Sequence, residues 1–202
     1  MNLFIKQIIG KFYNRLHHYF VYFSPRLKSQ LATMFETWII LFTIPPIAVS
    51  FSVMKRVLFI CEGNICRSPT AEAIFNHLIA KKGLENEYHA FSRGLIFTTN
   101  GQDIYPPFIE LLDKDGIPHE LHVSKIANRN DVKEADMIFV MSSAQKVQLK
   151  RSLYLQDTSN IIRLGDYLDP QQDIEDPYAS LKYEEAYQII KKAVEALVDS
   201  LR

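Results

Sequence analysis

The residues best suited to chemistry lie in one short stretch, Cys61-Glu62-Gly63-Asn64-Ile65-Cys66-Arg67-Ser68. A thiol, a tight turn and an arginine six positions on make a site for a phosphate dianion with a nucleophile beneath it. Backbone N–H groups of residues 62–67 can turn inward as an anion nest, and the positive end of a following helix reinforces them. Arg67 offers a planar fork that matches two phosphate oxygens, which a lysine cannot do. The same field favours thiolate over thiol at Cys61. Gly63 is expected to supply a backbone conformation closed to most residues. Asn64 has the short polar side chain that tolerates a left-handed turn and braces a loop. Ser68 can hydrogen-bond the Cys61 sulfur and ease its departure in a second step. An inert buried thiol is the usual fate of a lone cysteine, but Arg67 at this spacing, with Gly63-Asn64 between, favours the nucleophile. Two readings of Cys66 stay open, loop packing or a reversible disulfide with Cys61.

Such a turn needs a strand before it and a helix after it. The apolar run 56–60 reads as a buried strand ended by the turn. Ser68 as N-cap, Pro69 at the first helical position and Gly83 past the end bound a helix over 69–82. Its inward face is Ala71, Ile74, Phe75 and Leu78. Further strands are predicted over 88–92, 136–141 and 160–164. Helices are predicted over 106–114, 143–151 and 181–201, with a short helical turn at 131–135. Segments 94–105 and 165–177 read as loops. Alternating strands and helices argue an α/β fold, a three-layer sandwich with a parallel sheet covered on both faces. In such sheets ligands bind beyond the carboxyl ends of the strands, where the turn at Cys61 sits.

The chain has 202 residues, 48% of them apolar, which allows one good-sized domain plus an appendage. A formal net charge of zero gives no reason to expect nucleic acid as a partner. The two cysteines provide neither a disulfide framework nor a four-cysteine zinc site, and they suit a reducing, cytoplasmic compartment. The histidines form no metal set with them, so no metal is expected. Residues 1–53 differ in kind: basic, rich in aromatics and almost wholly apolar from Thr37 to Phe51. The apolar run falls short of the ~20 residues a spanning helix needs, and Pro45-Pro46 interrupts it. Three readings stay open for 1–53. They are an anchor at the inner membrane face, a helix packed on the domain, or upstream translation that is not part of the working protein. The working domain is expected to cover 54–202.

The pattern C-x-G-N-x-C-R-S-P-x-A-E after an apolar strand resembles the low-molecular-weight protein tyrosine phosphatases, from about Lys55 to the end of the chain. The resemblance implies a four-stranded parallel sheet of flavodoxin-like topology with the phosphate loop after the first strand. It implies phosphotyrosine hydrolysis through a phosphocysteine, with Cys61 as nucleophile, Arg67 as phosphate clamp and residues 62–66 and 68 (Glu62, Gly63, Asn64, Ile65, Cys66, Ser68) around the phosphate. The family takes a general acid from an Asp-Pro pair on a distant loop. Asp176-Pro177, just before the last helix, fits that place better than Asp169-Pro170. Ser92 and His122 match the residues that support the loop asparagine, and Phe97 and Tyr178 are the expected walls for an aromatic ring. The implied partner is a phosphotyrosine protein, a tyrosine kinase being one class, and no cofactor is implied. Two departures stand out: Ser92-Arg93-Gly94 replaces the commoner Ser-Ala-Gly, and Glu62 is acidic at the pocket mouth. Two other functions compete. An arsenate reductase of the same fold would pass oxidation to downstream cysteines, of which there are none after Cys66. A phosphotyrosine-binding module would hold its ligand without turnover.

Overall fold

The computed structural model describes residues 54–201; the readings of 1–53 lie outside them. Strand β1 (Lys55–Cys61) is the element around which the rest is built. It lies between β2 (Tyr88–Gly94) and β3 (Met137–Val140), and β4 (Ile161–Arg163) completes the order β2-β1-β3-β4. All pairings are parallel, with Val57 opposite Ala90 on one side and Met137 on the other. Val57, Leu58, Phe59 and Ile60 are wholly buried. A central parallel strand is covered on both faces, so its sequence is a continuous apolar run rather than an alternation.

The two-residue period of a strand divides β1 between two cores. Val57, Phe59 and Cys61 face the layer formed by α1 (Arg67–Lys81), α2 (Pro106–Lys114) and α6 (Tyr183–Ser200). Leu58 and Ile60 face the other side, with Leu149 of α4 (Ser143–Ser152) and residues around α3 (Arg129–Glu134). Cys61 therefore ends the strand on the same side as α1 and α6. Phe59 fixes this layer, its ring 5.7 Å from Phe75 and 5.5 Å from Phe139. Each such ring pair adds roughly 0.5–1.5 kcal/mol beyond the burial of its area.

The structure differs from the sequence reading at several helix starts and in one loop. Helix α1 starts at Arg67, with Cys66 as N-cap and no side-chain capping bond. Ser68 is not the cap because its hydroxyl is drawn to the Cys61 sulfur instead. Pro69 falls at the third helical position, where its missing N–H has no intrahelical acceptor to lose. Asp131 does not begin α3. It is the third helical residue and closes a reciprocal capping box with Asn128. The segment 165–177 is not all loop. A 3₁₀ turn (Leu164–Tyr167) follows β4, and Pro177 opens a four-residue helix, α5 (Pro177–Ser180), too short to leave a periodic signal. Finally, α6 begins at Tyr183 because Leu181 takes a left-handed conformation, φ 59°, which ends α5 and separates the two helices.

The chain leaves β1 for β2 on one side and reaches β3 on the other. Ligand sites in open α/β sheets form at this kind of reversal. The turn after Cys61 occupies it, and Ile174, upstream of α5, docks there through its N–H on Met141 O at 2.8 Å.

Candidate active site

Cys61 is only 2% exposed, and its sulfur accepts two hydrogen bonds, from Ser68 Oγ at 3.0 Å and from Asn64 N at 3.2 Å. The turn that delivers them depends on Asn64, whose φ of 55° is left-handed. Gly63 does not adopt a positive φ, contrary to the sequence reading. Its value is steric, since a Cβ there would lie 3.2 Å from Thr99 Oγ1. That hydroxyl donates to Gly63 O at 2.6 Å. Gly94, at the end of β2, is tighter still. A Cβ there would lie 3.1 Å from both Asn64 Cβ and the Glu62 carbonyl oxygen, so only glycine lets β2 approach the turn.

Asn64 is almost fully buried and its side chain is fully used. Nδ2 donates to Ser92 Oγ at 2.8 Å and to Ser68 Oγ at 3.0 Å, and Oδ1 accepts from Lys125 N at 3.0 Å. His122 Nε2 lies 2.8 Å from Asn64 O, so a neutral ring protonated at Nε2 donates to the turn. Burial lowers the His122 pKa, which keeps the ring neutral in this role. Glu72 hydrogen-bonds Ser92 from α1, and burial raises its carboxyl above the ordinary range. Arg93 meets the turn through its carbonyl, which lies 3.4 Å from Ser68 Oγ, and not through its side chain. Its guanidinium reaches Asp131 through Nε and Nη2 at 3.0 Å and Ser92 O at 2.8 Å, clasping the end of β2 to α3.

Arg67 is 5% exposed on its side chain and joins the turn to a segment 109 residues away. Nη1 donates to Ile174 O at 3.1 Å and Nη2 pairs with Asp176 Oδ2. Nε is the one buried side-chain polar atom without a partner among the described residues. A buried donor left unpaired costs about 1–3 kcal/mol, so this N–H is one that an oxyanion in the turn would satisfy. Asp176 is more open, 39% exposed, and caps α5 by accepting from Tyr178 N at 3.0 Å. Asp169 is exposed, and it is Asp176 that pairs with the arginine. Cys66 is buried, and its thiol is pushed up to about 12 by burial, with the Cys61 and Asp176 charges adding to the effect. It is a neutral thiol at ordinary pH.

The structure thus joins Cys61, Asn64, Ser68, Ser92 and His122 by hydrogen bonds, and pairs Arg67, the residue before Ser68, with Asp176. Ile65 contributes its carbonyl, which accepts from Tyr105 N at 2.7 Å. The Glu62 side chain is exposed, while its carbonyl accepts from Leu95 N and Ile96 N at 2.7 and 3.1 Å. Phe97 stands 72% exposed on the loop after β2, and Tyr178 63% exposed with its ring 6.0 Å from Tyr105. Sequence reasoning missed Gly94, Thr99, Ile174 and Tyr105. Gly94 was read as opening a loop after a strand over 88–92, whereas the strand runs on to include it. A cavity of about 570 Å³ lies between α1 and residues 118–123; it reaches Glu72 and His122 but neither Cys61 nor Arg67. Among the described residues no group of three or more His, Cys, Asp or Glu side chains is arranged to hold a metal ion, and no helix is long and apolar enough to cross a membrane.

Residues 56–202 match the family model described as low molecular weight phosphotyrosine protein phosphatase. The low molecular weight protein-tyrosine-phosphatase YfkJ of Bacillus subtilis is 37% identical over 151 residues, covering 74% of this chain and 97% of the relative. A low molecular weight phosphotyrosine protein phosphatase of Schizosaccharomyces pombe is 34% identical over 61% of this chain and 80% of its own length. Among solved structures, crystalline YfkJ superposes with a TM-score of 0.70 at 38% identity, covering 73% of this chain and 94% of that one. Vibrio vulnificus Wzb in complex with benzylphosphonate gives 0.65 at 25% identity over 73% and 99%.

Proposed function

The chain belongs to the low molecular weight phosphotyrosine protein phosphatase family, and we propose that it hydrolyses phosphotyrosine in proteins through a phosphocysteine on Cys61. In the first step the Cys61 thiolate attacks phosphorus, and an S–P bond forms as the bond to the tyrosine oxygen breaks. The N–H groups of residues 62–67 and the Arg67 guanidinium hold the three phosphoryl oxygens where charge is greatest. The departing phenolate takes the proton of the Asp176 carboxyl. In the second step water attacks phosphorus and gives its proton to the Asp176 carboxylate. The S–P bond breaks, inorganic phosphate leaves, and the Ser68 hydroxyl stabilises the returning thiolate. Tyr178 and Phe97 wall the approach of the aromatic ring.

The observation that carries this reading is the use Arg67 makes of its three nitrogens. Two reach the Ile174–Asp176 segment and the third, buried beside the turn, has no protein partner. One side chain thus links an anion cradle to a proton donor. The test is turnover of an aryl phosphate by the wild type, Cys61→Ser and Asp176→Ala. The serine variant should be inactive and the alanine variant strongly impaired; equal turnover by all three refutes the reading.

One class of substrate protein for this site is a phosphorylated tyrosine kinase, a reading that rests on the family resemblance. Release of phosphate from such a kinase at a kcat/KM no higher than from unrelated phosphotyrosine peptides would remove it. Two buried free thiols suit a cytoplasmic setting. Membrane contact through residues 1–53 is tested by vesicle partition of the full chain against a version starting at Met54, and equal partition rejects it.

A further inference from the structure

From the geometry we propose that Tyr105 is a positioning residue for the acid. It holds the Asp176 turn over the phosphate loop while Arg67 is engaged with the phosphoryl group. The inference rests on the reading of Asp176 as proton donor.

Tyr105 immediately precedes α2, in the N-cap position, yet its side chain makes no capping bond. Helix capping favours Ser, Thr, Asp or Asn there, so capping does not account for a tyrosine. Its contacts point elsewhere. The backbone N–H donates to Ile65 O at 2.7 Å, which ties the residue to the phosphate loop between Asn64 and Cys66. The ring meets Tyr178 edge-on, centroids 6.0 Å apart at 65°. It also meets Tyr183, the first residue of α6, at 5.5 Å, and Tyr183 in turn packs on Phe108 at 6.1 Å. The Tyr183 hydroxyl hydrogen-bonds Tyr105, which pushes its pKa up to about 12. Tyr105 is therefore the point where the phosphate loop, α2, α5 and the start of α6 meet.

This position becomes important when the acid's own tether is released. Without substrate, Asp176 is held by Arg67 Nη2. A phosphoryl dianion competes for that guanidinium, and a protonated Asp176 no longer forms an ion pair with it. The upstream anchor of the segment, Ile174 N on Met141 O, lies two residues before Asp176. Downstream lies Tyr178, whose ring rests on Tyr105. Removing that ring contact loosens the downstream side of the Asp176 turn, leaving the buried Pro177 to hold it there. Proton transfer requires hydrogen-bond reach of the leaving oxygen, so a loosened turn costs rate where the leaving group needs the proton.

The test compares kcat/KM for phenyl phosphate, whose leaving phenolate is strongly basic, with p-nitrophenyl phosphate, whose leaving group needs little protonation. The ratio of the two does not depend on the fraction of enzyme that is folded. Asp176→Asn sets the reference by depressing the phenyl phosphate value selectively. Tyr105→Leu should depress phenyl phosphate roughly tenfold more than p-nitrophenyl phosphate. Tyr105→Phe should keep the wild-type ratio. In the Asp176→Asn background, Tyr105→Leu should change the ratio no further. A Tyr105→Leu loss equal for both substrates, with Asp176→Asn still selective, overturns the role of Tyr105 alone. An Asp176→Asn variant with no leaving-group selectivity overturns the acid reading itself.

Discussion

Replacing Asn64 by alanine should cost about 4 kcal/mol of stability and most of the activity. The figure follows from what the side chain does. Three hydrogen bonds are lost, to Ser92 Oγ at 2.8 Å, to Ser68 Oγ at 3.0 Å and from Lys125 N at 3.0 Å. In a site this buried each is worth about 1 kcal/mol. A φ of 55° then adds about 1 kcal/mol, because alanine lacks the local polar bonding that lets asparagine visit the left-handed region. Against a typical domain stability of roughly 5–15 kcal/mol the loss is large but survivable. With an m-value of about 2 kcal/mol per molar, the urea midpoint followed by circular dichroism should fall by roughly 2 M. Asn64→Gly keeps the bond losses but relieves the backbone, so it should fall between alanine and wild type. Activity should drop in both, since Ser68 and the Asn64 N–H lose their alignment on the Cys61 sulfur. A midpoint shift below about 0.5 M for alanine, or alanine more stable than glycine, would refute the reasoning.

Three further outcomes follow from the same geometry. Gly94→Ala places a Cβ 3.1 Å from Asn64 Cβ and from Glu62 O, so the turn must shift. Such overpacking costs roughly 1–3 kcal/mol, and kcat with an aryl phosphate should fall while a Gly83→Ala control, with open space around its Cβ, should not touch kcat. Burial raises the Glu72 pKa from its ordinary 4.5, so the native state prefers the protonated carboxyl. Its favourable contribution is therefore full below about pH 4.5 and lost as pH rises through the raised value. Glu72→Gln should match wild type in melting temperature at low pH and exceed it increasingly toward neutrality; a constant difference across pH contradicts the desolvation argument. With the Cys66 thiol pushed to about 12, iodoacetamide near pH 7 should modify Cys61 and spare Cys66, as mass spectrometry of the peptides would show. Equal modification of the two would contradict the assignment of a neutral, buried Cys66.

The residues around Cys61 were legible in the sequence because their geometry is local. An apolar strand, eight turn residues and a helix start lie within a few residues of one another, and their spacing alone places an arginine and a hydroxyl near a thiol. The parallel sheet was legible for a similar reason, since strands alternating with amphipathic helices leave few other ways to bury both faces. Even so, local rules misassigned two details. Propensity made Ser68 a helix cap, whereas the sulfur beside it competes for the hydroxyl. Propensity also gave Gly63 the unusual backbone, whereas Asn64 adopts it and Gly63 is needed because Thr99 packs against it. Only the tertiary structure brings Asp176 to Arg67 across 109 residues, because the order β2-β1-β3-β4 sets the end of β3 beside the turn. Choosing Asp176 from sequence needed the family pattern, since two Asp-Pro pairs were on offer and neither carries a local signal of pairing. Gly94 and Tyr105 show the same division. Their neighbours along the chain do not say that one must leave room for Asn64 and Glu62 and the other must touch two loops. Those demands come from strand register and from the packing of segments distant in sequence, which no local window contains.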